Sequence, residues 1–251
     1  MTASKASFFV PDWPAPAGVH ALMTLRTGGT SSGPWDSFNL ATHCGDSASA
    51  VDRNRALLRS HLPSEPRWLR QVHGIQVVCA DVTADGVEAD ASHTREVGTV
   101  CAVLVADCMP VLLCARSGES VAAAHAGWRG LAGGVIEATV AALGLPGHEL
   151  MAWLGPAIGP QVFQVGPEVR AAFVQVAAED AGGFRVDAGD RWLCDLAWLA
   201  RARLARLGVT AIHGGQGCTV SEPARFFSFR RDRTCGRMAA LIWRGGGAQG
   251  A

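Results

Sequence analysis

An apolar run over residues 100–114 is broken only at Asp107-Cys108. Its wealth of Val and Leu predicts buried strand, with Pro110 marking a bend or an edge. The polar stretch Arg116-Ser117-Gly118-Glu119 follows, and then small residues over Val121–Ala126 predict a second strand. A turn this short folds two strands back antiparallel. Cys108 lies eight residues before Arg116 and His125 eight after Ser117. The hairpin should therefore set the two face to face within a residue or two of register. A lone carboxylate buried in such a run costs several kcal/mol or forces its pKa upward, so the Asp107-Cys108 pair calls for a reason.

Residues 19–25 read as a strand that runs into Arg26-Thr27-Gly28-Gly29-Thr30-Ser31-Ser32-Gly33. Backbone N–H groups in such a loop, with one guanidinium fork, suit an anion. Residues 47–62 predict a helix with Ser47 or Ser49 as cap and Val51, Leu58 and Leu62 on one face. Residues 67–80 divide at His73-Gly74 into two short strand-like runs, and 81–97 form an acidic connecting loop holding Asp85, Glu88 and Asp90. A small-residue helix over 131–143 stops at Gly144 and Pro146, and Leu150–Leu154 is a strand closing on a Gly-Pro loop. Helices are expected over 167–179 and 191–207. The second turns Leu193, Leu196, Ala200, Leu204 and Leu207 inward, with Arg201, Arg203 and Arg206 toward water. Strands over 209–213 and 238–243 close the fold. Without repeats or a Pro-rich linker, the expectation is one α+β domain over 1–244. It has a large, mainly antiparallel mixed sheet packed with helices, and a flexible tail over 245–251.

The formal net charge is zero and no long like-charge block occurs, so neither nucleic acid nor an anionic membrane is indicated as a partner. Eight cysteines without a CxxC pair, behind an N-terminus lacking an apolar signal region, argue against a disulfide framework. No window is long and apolar enough to span a bilayer. A soluble cytoplasmic protein is the expectation.

Three isolated residues carry candidate chemistry. One thiolate and two imidazoles, from Cys108, His73 and His125, make the ligand set of a catalytic zinc with a fourth position left to water. Such a zinc lowers the pKa of its bound water to about 7. A blue-copper site uses the same three donors with a weak axial Met. Met109 adjoins Cys108, but neighbours on a strand point to opposite faces. A metal-free Cys-His nucleophile pair is the third reading, and it leaves His73 without a task.

The blocks Arg26-Thr27-Gly28-Gly29, Gln71-Val72-His73-Gly74 and Val105-Ala106-Asp107-Cys108-Met109-Pro110 stand in an order that can be compared with known families. They are followed by Ala124-His125-Ala126-Gly127-Trp128-Arg129-Gly130, Gly155-Pro156-Ala157-Ile158-Gly159 and Phe227-Ser228-Phe229-Arg230-Arg231. In these blocks the chain resembles the laccase-domain family, also called polyphenol oxidase or YfiH-like, over nearly its whole length. The resemblance implies one zinc held by His73, Cys108 and His125, and a fold related to bacterial toxin deamidases. It further implies phosphorolysis of adenosine, inosine, guanosine and methylthioadenosine, with adenosine deaminase activity beside it. Nucleoside and phosphate would then be the small-molecule partners. The older laccase label implies copper and phenol oxidation, yet all eight histidines are isolated, with none of the His-x-His pairs of multicopper oxidases.

On this reading Arg26, with Arg230 beside it, would hold phosphate or a ribose hydroxyl. Asp107 would either orient a ligand histidine from behind the metal or serve as a hydrogen-bonded structural carboxylate, and Trp128 would either stack on a base or pack in the core. The family's usual Tyr in the last block is Phe229 here, and the chain has no Tyr, so a hydroxyl at that place is lost. A thiol hydrolase or amidase acting on a peptide or cell-wall precursor, with Cys108 as nucleophile, is the rival class. A purely structural zinc would take four protein ligands rather than three.

Overall fold

The computed structural model describes residues 8–246. The expected tail lies outside the described residues from 247 onward. In chain order come β1 (Phe8–Phe9), β2 (Val19–Thr24), α1 (Ala48–Arg59), β3 (Val77–Cys79), β4 (Ala91–Thr94), β5 (Val100–Val105) and β6 (Met109–Ala115). Next are β7 (Val121–Ala126), α2 (Trp128–Gly133), α3 (Val135–Leu143), β8 (Leu150–Leu154), β9 (Gln164–Val165) and α4 (Pro167–Val174). The rest are β10 (Phe184–Val186), β11 (Trp192–Cys194), α5 (Leu196–Arg206), β12 (Ala211–Gly214), α6 (Phe229–Asp232) and β13 (Met238–Arg244).

The large sheet is not single. A six-stranded sheet runs β12-β8-β6-β7-β4-β3, antiparallel at its centre, with a parallel pair at each end. A four-stranded antiparallel sheet, β1-β2-β13-β5, packs face to face against it. A small third sheet, β10-β11-β9, lies in the chain segment before α5.

Period-two alternation explains the packing. Leu112 and Cys114 of β6 meet Cys101, Val103 and Val105 of β5 and Ala240 and Ile242 of β13 between the two sheets. Val111 and Leu113 turn the other way, onto Val135, Ile136 and Val140 of α3 and Leu196, Ala200 and Leu204 of α5. On the far side of the smaller sheet, Val100, Ala102 and Leu104 pack with Leu58 of α1, Phe38 and Trp68. Strands covered on both faces read as unbroken apolar runs, which is why 100–114 looks continuous. It is two strands in two sheets, and the chain crosses between them at Ala106-Asp107-Cys108.

Other expectations shift for local reasons. The 131–143 helix begins earlier and is broken at Gly134, whose φ of 104° ends α2 and starts α3. The 191–207 helix is β11 followed by α5, because the Asp195 carboxylate accepts from Trp198 N and caps the helix there. Arg203 does not face water. It is 2% exposed and paired with Glu137 of α3 at 2.7 Å and with Asp180 at 3.6 Å. The acidic stretch 81–97 contains β4, an interior strand of the six-stranded sheet. Of the two runs in 67–80 only the second is a strand. The first makes isolated bridges at Arg67 and Arg70.

Candidate metal centre

The hairpin of β6 and β7 pairs Met109 with Ala126 and Pro110 with His125. Cys108 therefore sits just outside the ladder, at the crossover between sheets, two residues from the position facing His125. His73 occupies the turn before β3 with φ of 61°, and Asp107 has φ of 84°. These conformations carry strain for residues other than Gly. The donor atoms of His73, Cys108 and His125 all lie within 4.8 Å of one another. Cys108 Sγ is 3.7 Å from His73 Nε2, and the two imidazole rings stand 4.8 Å apart at 72°. Tetrahedral bonds of about 2.0–2.3 Å place donor atoms roughly 3.3–3.8 Å from each other, so a small shift of the side chains suits one ion. Gly127 leaves the room: a Cβ there would stand 2.7 Å from Cys108 Sγ and 3.0 Å from His73 Cδ2.

The residue that ties the cluster together is Asp90, wholly buried immediately before β4. Its Oδ1 accepts from His125 Nδ1 at 2.8 Å and from His73 N at 2.9 Å. Its Oδ2 accepts from Gly74 N at 2.7 Å and Val72 N at 3.2 Å. One carboxylate thus fixes the His125 tautomer, leaving Nε2 for the cluster, and pins the turn that carries His73. Burial pushes Asp90 up, but its bonds from His125 and Gly74 outweigh this and hold it below the usual carboxylate value. In the sequence Asp90 falls in a polar stretch that reads as a loop. An acid between Ala89 and Ala91 was the available signal.

The structure gives Asp107 another task. Its carboxylate accepts from Thr219 Oγ1 at 2.5 Å and from Arg230 N at 2.7 Å, anchoring the segment that carries α6 rather than orienting a histidine.

Electrostatics favour the thiolate. Burial raises the Cys108 thiol, but His125 and His73 outweigh it and bring it down to about 6. Burial opposes charge on His125 too, yet the Cys108 thiolate and the Asp90 carboxylate push it up to about 9. A thiolate is the form a metal requires, and binding would displace the proton of His125.

A cavity of about 580 Å³ opens on the cluster. Trp128, Phe163, Ile158, Leu196 and Phe229 supply apolar wall, while Arg129, Arg230, Arg233 and Arg237 supply positive charge. Arg26 is not brought there. Its Nε and Nη2 donate to Asp36 O at 3.1 and 3.0 Å and its Nη1 to Pro223 O at 3.1 Å. With its guanidinium 4.8 Å from the Phe227 ring centre, it clamps two loops.

Comparison with known proteins places this architecture. The family described as multi-copper polyphenol oxidoreductase laccase matches residues 20–245. A purine nucleoside phosphorylase of Pseudomonas aeruginosa is 53% identical over 238 residues, covering 94% of this chain and 98% of the relative. The purine nucleoside phosphorylase YfiH of Escherichia coli is 51% identical over 243 residues, covering 95% and 99%. The crystal structure of a Neisseria meningitidis protein superposes with a TM-score of 0.93 at 48% identity, covering 96% of this chain and all of that one. YlmD from Geobacillus stearothermophilus superposes with a TM-score of 0.85 at 33% identity, covering 93% and 94%. Motif blocks, fold and relatives agree, and the chain belongs to the laccase-domain, YfiH-like family.

Proposed function

We propose that this protein is a zinc-dependent purine nucleoside phosphorylase acting on adenosine, inosine, guanosine and methylthioadenosine, with adenosine deamination at the same centre. The observation that carries the reading is a three-donor cluster, two imidazoles and a thiolate, opening on a cavity with both apolar and cationic walls. Zinc suits these donors better than copper. Met109, the only Met next to Cys108, is packed into the helix-side core instead of standing over the cluster. Among the described residues this is also the single group of three or more potential ligands, where a multicopper centre needs several.

When bound, zinc supplies Lewis acidity and an open coordination position. The chain supplies the rest. Asp90 holds His125 and the His73 turn in place, and the apolar wall excludes water from the base and sugar. Arg230, through its place in the cavity, neutralises phosphate. In phosphorolysis a phosphate oxygen bonds to C1′ as the bond from C1′ to the purine nitrogen breaks. The electron pair leaves with the purine, which takes up the proton lost by phosphate. In deamination water adds at C6 and ammonia departs. The eight unpaired cysteines suit a reducing cytoplasm, and among the described residues no helix is long and apolar enough to cross a membrane.

The test is metal analysis followed by chromatography of nucleoside reactions. About one zinc per chain is expected, with inosine converted to hypoxanthine only when phosphate is present and adenosine converted to inosine without it. Cys108→Ala should lose zinc and both reactions. A zinc-loaded protein that turns over neither nucleoside would discard the reading. It would promote a thiol hydrolase, which the depressed Cys108 thiol favours.

A further inference from the structure

Among the described residues three that are not glycine have positive φ: His73, Asp107 and Arg233. All three line the same cavity. The first is a member of the donor cluster and the second immediately precedes Cys108. Strained backbone persists where the surrounding structure holds it for a task, and the third outlier has none assigned. Arg233 sits at φ 61°, ψ −58°, the centre of a three-residue turn closed by a hydrogen bond from Thr234 N to Asp232 O at 2.7 Å. This positive-φ γ-turn is rare even among turns. It directly follows α6, whose first turn is capped by the Ser228 side chain and anchored by Asp107 through Arg230 N.

The four cavity arginines are not equivalent. Arg230 donates Nη1 to Gln164 O, and Arg237 donates Nη1 to Cys235 O and Gly236 O. Arg129 lies over its neighbour Trp128 with 4.4 Å to the ring centre. The Arg233 guanidinium makes no hydrogen bond, ion pair or ring contact with any described residue, so its whole fork is available to a ligand. The one carboxylate on the cavity wall, Asp107, is already engaged by Thr219 and Arg230 N. A protein of zero formal net charge has therefore gathered four arginines around one cavity whose single carboxylate is already engaged.

We propose that Arg233 is the principal phosphate-binding residue of this site, its strained turn presenting an uncommitted guanidinium to inorganic phosphate beside the metal cluster. The proposal deepens the phosphorylase reading and takes its co-substrate from it. A planar fork matches two phosphate oxygens at once, which an ammonium does not.

The backbone offers an unusually clean variant. Glycine adopts φ of 61° without strain, so Arg233→Gly removes the guanidinium while relieving the turn, and its thermal midpoint should equal or exceed that of the wild type. Calorimetric titration of the zinc-loaded protein with inorganic phosphate should show affinity falling about 10- to 100-fold in Arg233→Gly. Arg233→Lys should recover part of it. The KM for phosphate should rise by a similar factor, well beyond any change in the KM for inosine. Phosphate affinity that survives Arg233→Gly overturns the assignment. So does an arm in which adenosine 5′-monophosphate depends on Arg233 while free phosphate does not. Wild-type protein that binds phosphate through Arg233 yet cleaves no inosine would refute the phosphorylase reading and uphold the anion site.

Discussion

Asp90→Asn keeps the shape of the side chain and removes its charge, and the structure permits its consequence to be worked out. Each carboxylate oxygen accepts two donors, His73 N with His125 Nδ1 on one side and Val72 N with Gly74 N on the other. Whichever oxygen becomes the amide nitrogen, two donors are left facing another donor in a wholly buried setting. Two charge-assisted bonds at about 1.5–3 kcal/mol each put the loss at about 3–6 kcal/mol. That is a large share of the roughly 5–15 kcal/mol of a typical domain, so part of the population stays folded for study. The turn holding His73 loosens and the His125 tautomer is no longer fixed. Zinc affinity should therefore fall about 10- to 100-fold as well. Urea unfolding should show a lower midpoint at unchanged slope, and competition against a chromophoric chelator reads the metal affinity. Stability within about 1 kcal/mol of wild type, together with zinc affinity within about threefold, would refute the role given to Asp90.

Two further substitutions probe the surroundings. Gly127→Ala puts a methyl 2.7 Å from Cys108 Sγ and 3.0 Å from His73 Cδ2. Overpacking of this kind should destabilise by about 1–3 kcal/mol and drop zinc below one per chain, and unchanged metal content would show that the cluster has slack. Arg203→Met breaks the pair with half-exposed Glu137 and the longer one with Asp180, which Arg206 still holds, and should lower unfolding free energy by about 1–3 kcal/mol. A change within about 0.5 kcal/mol by urea titration would instead match a surface arginine.

The two strands around the Arg116–Glu119 stretch, their antiparallel pairing and the approach of Cys108 to His125 were legible in the sequence, because apolar runs and turn residues act locally. So were β2, α1, β8 and β13 to within a few residues, and the motif blocks that carry the family. Tertiary structure alone decided the rest. The run 100–114 belongs to two sheets because burial on both faces erases the alternation that would have marked the crossover. Asp90 and Arg203 carry charge, so a single chain reads them as solvated. Partners distant in sequence, among them His125 for Asp90 and Glu137 for Arg203, 35 and 66 residues away, make their burial tolerable. Arg26 opens a glycine-rich loop as an anion-binding residue would, yet the carbonyls of Asp36 and Pro223 claim its donors. Arg233 lies in a charged stretch where nothing local sets it apart. Its strained turn and its place on the cavity wall depend on Asp107, more than a hundred residues earlier, anchoring α6. Propensity and periodicity report on near neighbours, whereas the pairing of charges and the walls of a cavity are set by segments that meet only when the chain is folded.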